Sequence, residues 1–277
     1  MNATAAYAAR IDAVAAQEAR LSLTQPDRWS LAAPRFRADP RRPLDETLTA
    51  LAGYLQPDDV LIDVGGGAGR LGLALARRCR TVVNVEPAAG MRTAFAASAA
   101  EAGITNVRTV PRDWLAAEDV VGDLVLSCDV TYFVRAIGAF LAKLAGAARR
   151  RVVIVLGSVP PPNMNAPVFR LAFGEEQELV PGQRELFPVL WELGLLPEVR
   201  VLGQSPLFPE PLHTSLSAAV DALLARPPFA GNERARRAIE AQCEELFRAT
   251  PQGYLPAWRP PSRTLLITWE QQVRTGT

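Results

Sequence analysis

The chain is poor in the side chains that build metal sites, disulfide frameworks and proton relays. Its 277 residues include one histidine, His213, and three cysteines, at positions 79, 128 and 243. The cysteines are far apart, and none belongs to a Cys-x-x-Cys pair. This composition indicates neither a metal centre nor disulfides, and we expect the protein in a reducing cytoplasm.

Net charge and long apolar segments are also lacking. The 30 basic and 29 acidic residues leave a net charge of +1, so the composition indicates no nucleic-acid or membrane partner. No apolar run is long enough to cross a membrane, and charged residues between Arg10 and Arg20 interrupt any signal-peptide pattern. With 49% hydrophobic and 21% charged residues, we expect an ordinary globular protein.

Short apolar runs alternate with helical segments through the middle of the chain. The predicted strands are Val60–Val64, Thr81–Val85, Val107–Val110, Asp123–Ser127 and Arg151–Leu156. The predicted helices between them are Arg70–Cys79, Ala88–Ala102, Trp114–Glu118 and Val134–Ala148. Repetition of strand and helix predicts a doubly wound α/β fold with a mostly parallel sheet.

The first of these strands runs into a glycine-rich loop, in the stretch VLIDVGGGAGRLG. Its glycines are Gly65, Gly66, Gly67 and Gly69. Glycines after a strand permit positive φ and let a ligand approach the backbone, and the next helix offers free N–H groups. Two patterns fit: GxGxxG, the dinucleotide fingerprint, and an acidic residue followed by x-GxGxG.

Asp63, at the end of the strand, discriminates between the two patterns. A carboxylate there would repel the pyrophosphate of a dinucleotide. A cofactor with both an ammonium and a carboxylate would suit Asp63 and the helix N-terminus together. S-adenosylmethionine has that arrangement.

Acidic and aromatic residues follow the next strands. Glu86 ends the second strand, where a carboxylate can accept both hydroxyls of a ribose. Asp113 and Trp114 follow the third strand, where an acid can bind an adenine amino group and a ring can cover its face. Cys128 and Asp129 end the fourth strand, in the crevice where ligands of open α/β sheets bind. Structural roles remain open for Glu86, as a solvated strand end, and for Trp114, as a core aromatic.

Five stretches, in this order, resemble the class I (seven-β-strand, Rossmann-like) S-adenosylmethionine-dependent methyltransferases. They are LIDVGGGAG, VNVEP with Met91 shortly after it, RDW, DLVLSCDVTYF and RRVVIVLG, between about Leu55 and Gly157. The resemblance implies a methyltransferase enzyme with a seven-stranded sheet. It also implies that TLLITWE, Thr264–Glu270, is an antiparallel last strand.

The resemblance also implies a site for S-adenosylmethionine along the carboxyl ends of the strands. Gly65, Gly67 and Gly69 would line the methionine moiety, with Asp63 beside them, and Glu86 would bind the ribose. Pro87 and Met91 would lie near the adenine, and Asp113 and Trp114 would contact it. Cys128 and Asp129 would lie near the sulfonium. Segments outside the shared core usually build the substrate site in this family.

We predict a single domain with four segments. These are an N-terminal helical and lid segment (1–42), a cofactor-binding core (43–205), a helical insert (206–262) and the final strand (263–277). In the first segment a polar loop with Trp29, Arg35 and Phe36 would close over the cofactor. In the insert we predict helices over about Ser215–Ala225 and Asn232–Arg248. Before the insert we predict a turn-rich connection after Gly157, a helix over Gly182–Leu193 and a strand over Pro197–Leu202.

Methyl transfer requires alignment and exclusion of water, and a base only where the nucleophile loses a proton. Asp129 could orient or deprotonate an amine or hydroxyl, or cap the next helix. Tyr132 could line the substrate pocket or pack beneath that helix. The two residues form a DxxY run that resembles the protein lysine methyltransferases. His213 could act as a base, although its place before an insert helix favours a surface or capping role.

The sequence leaves four hypotheses for function. The leading one is methyl transfer from S-adenosylmethionine to a small molecule enclosed by the N-terminal segment and the insert. The DxxY run prompts the second, a protein side chain as acceptor, which would predict an open cleft. The third is an NAD-dependent oxidoreductase, which Asp63 disfavours. The fourth is a cofactor-binding protein without catalysis.

Overall fold

The computed structural model describes residues 2–204 and 211–271. Its strands are β1 Val60–Val64, β2 Thr81–Val85, β3 Val107–Val110, β4 Gly122–Cys128, β5 Ala148–Gly157, β6 Glu198–Val201, β7 Phe247–Thr250, β8 Gly253–Pro256 and β9 Thr264–Glu270. Seven strands form one sheet in the order β3-β2-β1-β4-β5-β9-β6, and β7 and β8 form a hairpin. Neighbours from β3 to β5 are parallel, whereas β9 is antiparallel to both β5 and β6. The predicted seven-stranded fold with an antiparallel last strand is confirmed.

Eleven α-helices accompany the strands in the described part of the chain. They are α1 Ala3–Arg20, α2 Arg28–Phe36, α3 Glu46–Ala52, α4 Gly72–Leu75, α5 Ala89–Ala102, α6 Ile137–Ala147, α7 Ala166–Phe173, α8 Gln183–Glu192, α9 Leu216–Leu224, α10 Glu233–Ala241 and α11 Cys243–Leu246. Side chains of Asn2, Asp45 and Asn232 accept N–H groups of the first turns, as N-caps do. None of these helices is long and apolar enough to cross a membrane.

The inner strands of the sheet are buried on both faces, whereas the residues of edge strand β6 are exposed. One face packs under α1, α6 and α8, and the other packs under α3, α4 and α5. Ile62 and Val83 belong to the first core, and Leu61 and Val82 belong to the second. Parallel strands covered on both sides become nearly continuous apolar runs, which is the pattern that predicted them. The sheet thus presents the carboxyl ends of β1 to β5 along one edge.

The helix after the glycine loop is much shorter than predicted. The expected span was Arg70–Cys79, but α4 covers only Gly72–Leu75 before a single 3₁₀ turn. The side-chain amide of Asn106 donates to the carbonyls of Ala76 and Cys79, at 2.7 and 3.1 Å. These long-range hydrogen bonds hold the backbone that follows α4. At the start of α4, the N–H groups of Gly72 and Leu73 are already bonded, to Asp63 and to the carbonyl of Gly69.

The N-terminal lid segment contains a helix that the sequence analysis did not predict. α2 occupies much of the expected polar loop, although Pro34 lies inside it. Asp27, with φ 52°, begins it and accepts the N–H of Ser30. Trp29 packs against Phe133 with ring centroids 5.1 Å apart. Contacts with the rest of the fold therefore stabilise a helix that propensity alone disfavours.

The insert and α7 share a separate hydrophobic cluster. Its buried residues come from α7, α9, α10 and β7, with Phe229 between α9 and α10. α7 follows the proline-rich connection and was not predicted. The helix expected over Asn232–Arg248 breaks after Ala241, and its end becomes β7, because buried Phe247 packs edge-on against Trp258 at 5.2 Å. Positions 206–210 of the predicted insert and 272–277 of the final segment lie outside the described residues.

Candidate active site

The glycine loop lies where the carboxyl ends of β1, β2 and β4 meet. Gly65, Gly67 and Gly69 have φ angles of 66°, 55° and 83°, in the left-handed region that favours glycine. The N–H of Gly65 donates to the carbonyl of Val85 at 2.8 Å. A Cβ on Gly65 would lie 2.5 Å from the side chain of Val130, which follows β4. The loop is therefore packed tightly into this edge of the sheet.

Asp63 lies beneath the glycine loop. Its side chain is buried, and Oδ2 accepts the N–H of Gly72 at 3.2 Å. A Cβ on Gly66 or on Gly72 would lie 2.5 Å from this carboxylate. The carboxylate therefore fixes the loop from below, a role that the sequence analysis did not assign. Its expected contact with a cofactor ammonium stays a prediction.

Burial alters the acidity of Asp63. Loss of water raises the pKa of this carboxyl to about 7, with a smaller upward contribution from Glu86. The hydrogen bond from Gly72 and the charge of Arg70 oppose the increase. The loop therefore rests on a carboxyl group that titrates near neutral pH, which is rare for aspartate.

Glu86 joins the end of β2 to the loop. Oε2 accepts the N–H of Gly67 at 3.0 Å, and Oε1 accepts the N–H of Ala88 at 2.8 Å. Burial raises the pKa of this carboxyl, and the two hydrogen bonds act in the opposite direction. Each carboxylate oxygen has two acceptor positions, so binding these N–H groups still leaves capacity for hydroxyl groups. The geometry is compatible with the predicted ribose contact.

Asn84 is a second residue that joins β2 to the glycine loop, and the sequence analysis missed it. It is fully buried in β2, and its amide donates to the carbonyl of Gly67 at 3.2 Å. A polar residue inside the apolar run TVVNV was the available signal, because a buried amide requires hydrogen-bond partners.

A cleft of about 200 Å³ opens beside the loop. Its lining residues are Val64, Gly65, Asp113, Trp114, Leu115, Val130, Phe133, Val134, Arg135, Ala136 and Phe140. The structure thus brings together Gly65 with Asp113 and Trp114, as expected. Asp113 is exposed and accepts the N–H of Leu115, whereas Trp114 is buried beneath the ammonium of Lys143, 5.0 Å from its ring. Trp114 is therefore both a cleft wall and a core residue.

Asp129 follows β4 with a φ of 56°, an uncommon conformation for a residue other than glycine. Its Oδ1 accepts the hydroxyl of Tyr132 at 3.2 Å, and its Oδ2 lies 3.9 Å from Nη2 of Arg70. The thiol of Cys128 donates to Oδ2 at 3.6 Å. Burial raises the pKa of Asp129, and the charge of Arg70 opposes this. Asp129 is thus fixed by several neighbours.

Arg70 is a site residue that the sequence analysis did not single out. Besides its ion pair with Asp129, its guanidinium lies 5.4 Å from the ring centre of Phe36. The signal was its position directly after the last loop glycine, on the edge where Asp129 was expected.

Tyr132 lies under this group and is fully buried. Its hydroxyl accepts the N–H of Gly157 at 2.7 Å and donates to Asp129. Burial raises the pKa of this phenol well above its usual value. These contacts position Asp129, whereas the predicted catalytic role of Tyr132 remains untested.

α2 covers the glycine loop. Ala33 of α2 packs with Ala68 of the loop and with Met91, which is buried. The hydroxyl of Ser30 accepts the N–H of Gly90 at 2.9 Å, which joins α2 to the start of α5. The segment expected to form a lid is thus a helix packed on the loop, and its closure over a cofactor stays a prediction.

Pro87, directly after Glu86, is exposed, and its carbonyl accepts an N–H of Nη1 of Arg92 at 2.5 Å. His213 lies in the insert, where its backbone pairs with Tyr254 of β8.

Comparison with known proteins agrees with this geometry. Residues 62–156 match the model of a methyltransferase domain family. The YcgJ protein from Bacillus subtilis is 15% identical, with a TM-score of 0.54, over 82% of this chain and 98% of that one. A candidate methyltransferase from Bacillus halodurans C-125 is 14% identical, with a TM-score of 0.58, over the same shares. The search of curated proteins found no match.

The match of residues 62–156 to the methyltransferase domain family agrees with the resemblance drawn from the sequence motifs, and the two solved structures share the fold.

Replacement of Gly66 by alanine is expected to damage the loop. The new Cβ would lie 2.5 Å from the Asp63 carboxylate and 2.6 Å from Oδ1 of Asn84, so one of them must move. We expect a loss of about 1–3 kcal/mol in the free energy of unfolding, measured with urea. The control is Gly146→Ala in α6, where a Cβ meets nothing within 4 Å. Equal stability of the two variants would contradict the packing described.

Stability should fall with pH because of Asp63. The unfolded chain releases this proton near pH 4, whereas the folded chain retains it up to about pH 7. The stabilising contribution is therefore complete below pH 4 and is lost as the pH rises to 7. We expect Asp63→Asn to remove up to about 4 kcal/mol of this pH dependence in urea unfolding. Exposed Asp58→Asn is the control, and parallel curves for wild type and Asp63→Asn would refute the shift.

Proposed function

We propose that this protein transfers a methyl group from S-adenosylmethionine to a small molecule by in-line displacement. The observation that carries the proposal is the cleft beside the glycine loop, with Asp113 and Trp114 in its walls and α2 packed over the loop. The methyltransferase family of residues 62–156 supports the same chemistry.

The residues present fit the proposed cofactor. Gly65 lines the cleft, and this position requires glycine because a Cβ would lie 2.5 Å from the side chain of Val130. Glu86 retains acceptor capacity for the ribose hydroxyls, and Asp113 can accept the adenine amino group. Bound S-adenosylmethionine would supply a methyl group on positively charged sulfur.

Asp129 is the proposed catalytic residue. Its burial makes the carboxylate a stronger base than aspartate in water, which suits proton removal near neutral pH. Arg70 and Tyr132 hold the two carboxylate oxygens in place. Asp129 takes the proton if the acceptor must lose one.

The lid favours a small acceptor over a protein side chain. A protein methyltransferase needs an open approach for a folded or extended chain, whereas α2 and its aromatic contacts with Phe133 cover this edge. The hydroxyl of Tyr132, which prompted the alternative, is occupied by Asp129 and Gly157.

Cofactor binding should depend on Glu86. We expect Glu86→Ala to weaken S-adenosylmethionine binding about 10- to 100-fold, because hydrogen bonds to a charged group contribute about 1.5–3 kcal/mol each. Isothermal titration calorimetry measures this, with exposed Glu198→Ala on β6 as control. We expect no heat from NAD. Binding of NAD without S-adenosylmethionine would instead support the oxidoreductase, and unchanged affinity in Glu86→Ala would refute the assigned site.

The acceptor class can be tested with S-adenosylmethionine labelled in its methyl group. We expect a cell extract incubated with the protein to gain label in its small-molecule fraction. Asp129→Asn should reduce that label at least tenfold while leaving S-adenosylmethionine affinity unchanged in calorimetry, because the residue acts on the acceptor. Label confined to the protein fraction would favour a protein acceptor. Absence of label from both fractions, with cofactor binding intact, would favour a non-catalytic protein.

A further inference from the structure

The strand β6 forms one edge of the seven-stranded sheet. In the part of the chain that the structure describes, β9 is its only neighbour in the sheet. All four of its residues, Glu198–Val201, are exposed. An open strand edge offers a row of backbone N–H and C=O groups to another strand. β6 is therefore a surface at which the sheet can be extended.

The hydrogen bonds between β6 and β9 determine which backbone groups of β6 point outward. The N–H of Leu202 donates to the carbonyl of Thr264 at 2.8 Å, in the register of the β6–β9 ladder. Because the direction of these groups alternates along a strand, the backbone groups of Arg200 also point toward β9. The N–H and C=O groups of Val199 and Val201 therefore point to the open edge.

The side chains of β6 alternate between the two faces of the sheet. Val199 lies on the face that α8 covers, because its partner in β9, Ile267, belongs to the core beneath α8. Val201 lies on the same face, and Glu198 and Arg200 lie on the other. The open edge thus has an apolar face and a charged face.

Exposed apolar side chains are concentrated in β6 and just before it. Five of the ten large apolar side chains that are exposed in the described chain lie between positions 191 and 201. They are Trp191, Leu193, Leu196, Val199 and Val201. Scattered exposed apolar residues are ordinary on a protein surface, whereas a concentration of them is typical of a protein–protein contact.

The charges of β6 favour a second copy of this chain as the partner. Because alternate residues point outward, a two-fold axis that pairs two antiparallel copies of β6 must pass through a residue. An axis through Val199 places Glu198 of each copy opposite Arg200 of the other. An axis through Glu198 or Arg200 would instead place two like charges opposite each other. Opposite charges stabilise cross-strand pairs and like charges destabilise them, so one register is favoured.

We propose that two copies of this protein associate through β6 and form one continuous sheet. In the register centred on Val199, the two Val199 residues exchange two backbone hydrogen bonds. The carbonyl of Pro197, directly before β6, accepts the N–H of Val201 of the other copy. Leu196, which is 80% exposed, then lies near the end of the other β6 and loses contact with water. The interface does not depend on the proposed function, because β5 and β9 separate β6 from β4 at the active site.

The mass of the protein in solution tests the interface. We expect wild type to sediment as a dimer at micromolar concentration. Val199→Pro should sediment as a folded monomer, because it removes an N–H that points to the open edge and keeps the ladder with β9. A monomeric wild type, with β6 in contact with solvent or with its own chain, would overturn the proposal. A dimeric and folded Val199→Pro would overturn it as well.

Charge reversal tests the register, also if Val199→Pro fails to fold. Glu198→Arg and Arg200→Glu should each raise the dissociation constant of the dimer about tenfold, because like charges then face each other. An equimolar mixture of these two variants should dimerise as wild type does, since every cross-strand pair again joins opposite charges. The double variant Glu198→Arg/Arg200→Glu should do the same. If the mixture dissociates as readily as the single variants, the register is wrong.

The matched control is Arg108→Glu, an exposed charge reversal on β3, the other edge strand. Its dissociation constant should equal that of wild type. Dissociation caused by Arg108→Glu but not by the β6 variants would place the interface at the other edge and overturn the proposal. Calorimetry separates the interface from the proposed function, because S-adenosylmethionine affinity should be the same in wild type and in the β6 variants. Absence of binding in a dimeric wild type would count against the proposed function alone.

Discussion

The loop at the centre of this site depends on one buried carboxylate. Asp63 fills the space below the loop, accepts the N–H of Gly72 and leaves no room for a Cβ at Gly66. Glu86 and Asn84 then bind Gly67 from the neighbouring strand. The loop is therefore shaped from below by hydrogen bonds before any ligand reaches its upper surface. Burying an ionisable group costs free energy, so this rigidity is obtained at the expense of stability at neutral pH.

The inner strands of the sheet could be predicted from the sequence because burial on both faces determines their residues. β1, β2 and β9 have the predicted bounds, and so does the edge strand β3. By contrast, the backbone that follows α4 is held by Asn106, about thirty positions away, whose amide donates to the carbonyls of Ala76 and Cys79. α2 forms around Pro34 because Trp29 and Phe36 pack against the loops of the site. The local pattern of apolar residues contains no information about such distant partners.

The residues that come together in the site could be predicted from the sequence, whereas the role of each residue could be predicted less well. Gly65, Asp113 and Trp114 share one cleft, as the strand ends implied. The charge of Asp63 drew attention to a cofactor ammonium, whereas the structure gives it a backbone partner beneath the loop. Arg70 was missed because an arginine after a glycine loop has many solvated conformations, and only the fold brings Asp129 to it. The position of a residue in the sequence thus predicts which residues lie close together better than it predicts the partner of each side chain.

The weak burial of α2 has a kinetic consequence. Its apolar cluster with the loop has three buried residues, Ala33, Ala68 and Met91, two of them alanines, and its larger side chains Trp29 and Phe36 are only partly buried. Segments that bury little surface open at a free-energy cost below that of global unfolding. If α2 opens in this way while the sheet stays intact, the opening of this one helix would limit ligand exchange and turnover, rather than bond breaking.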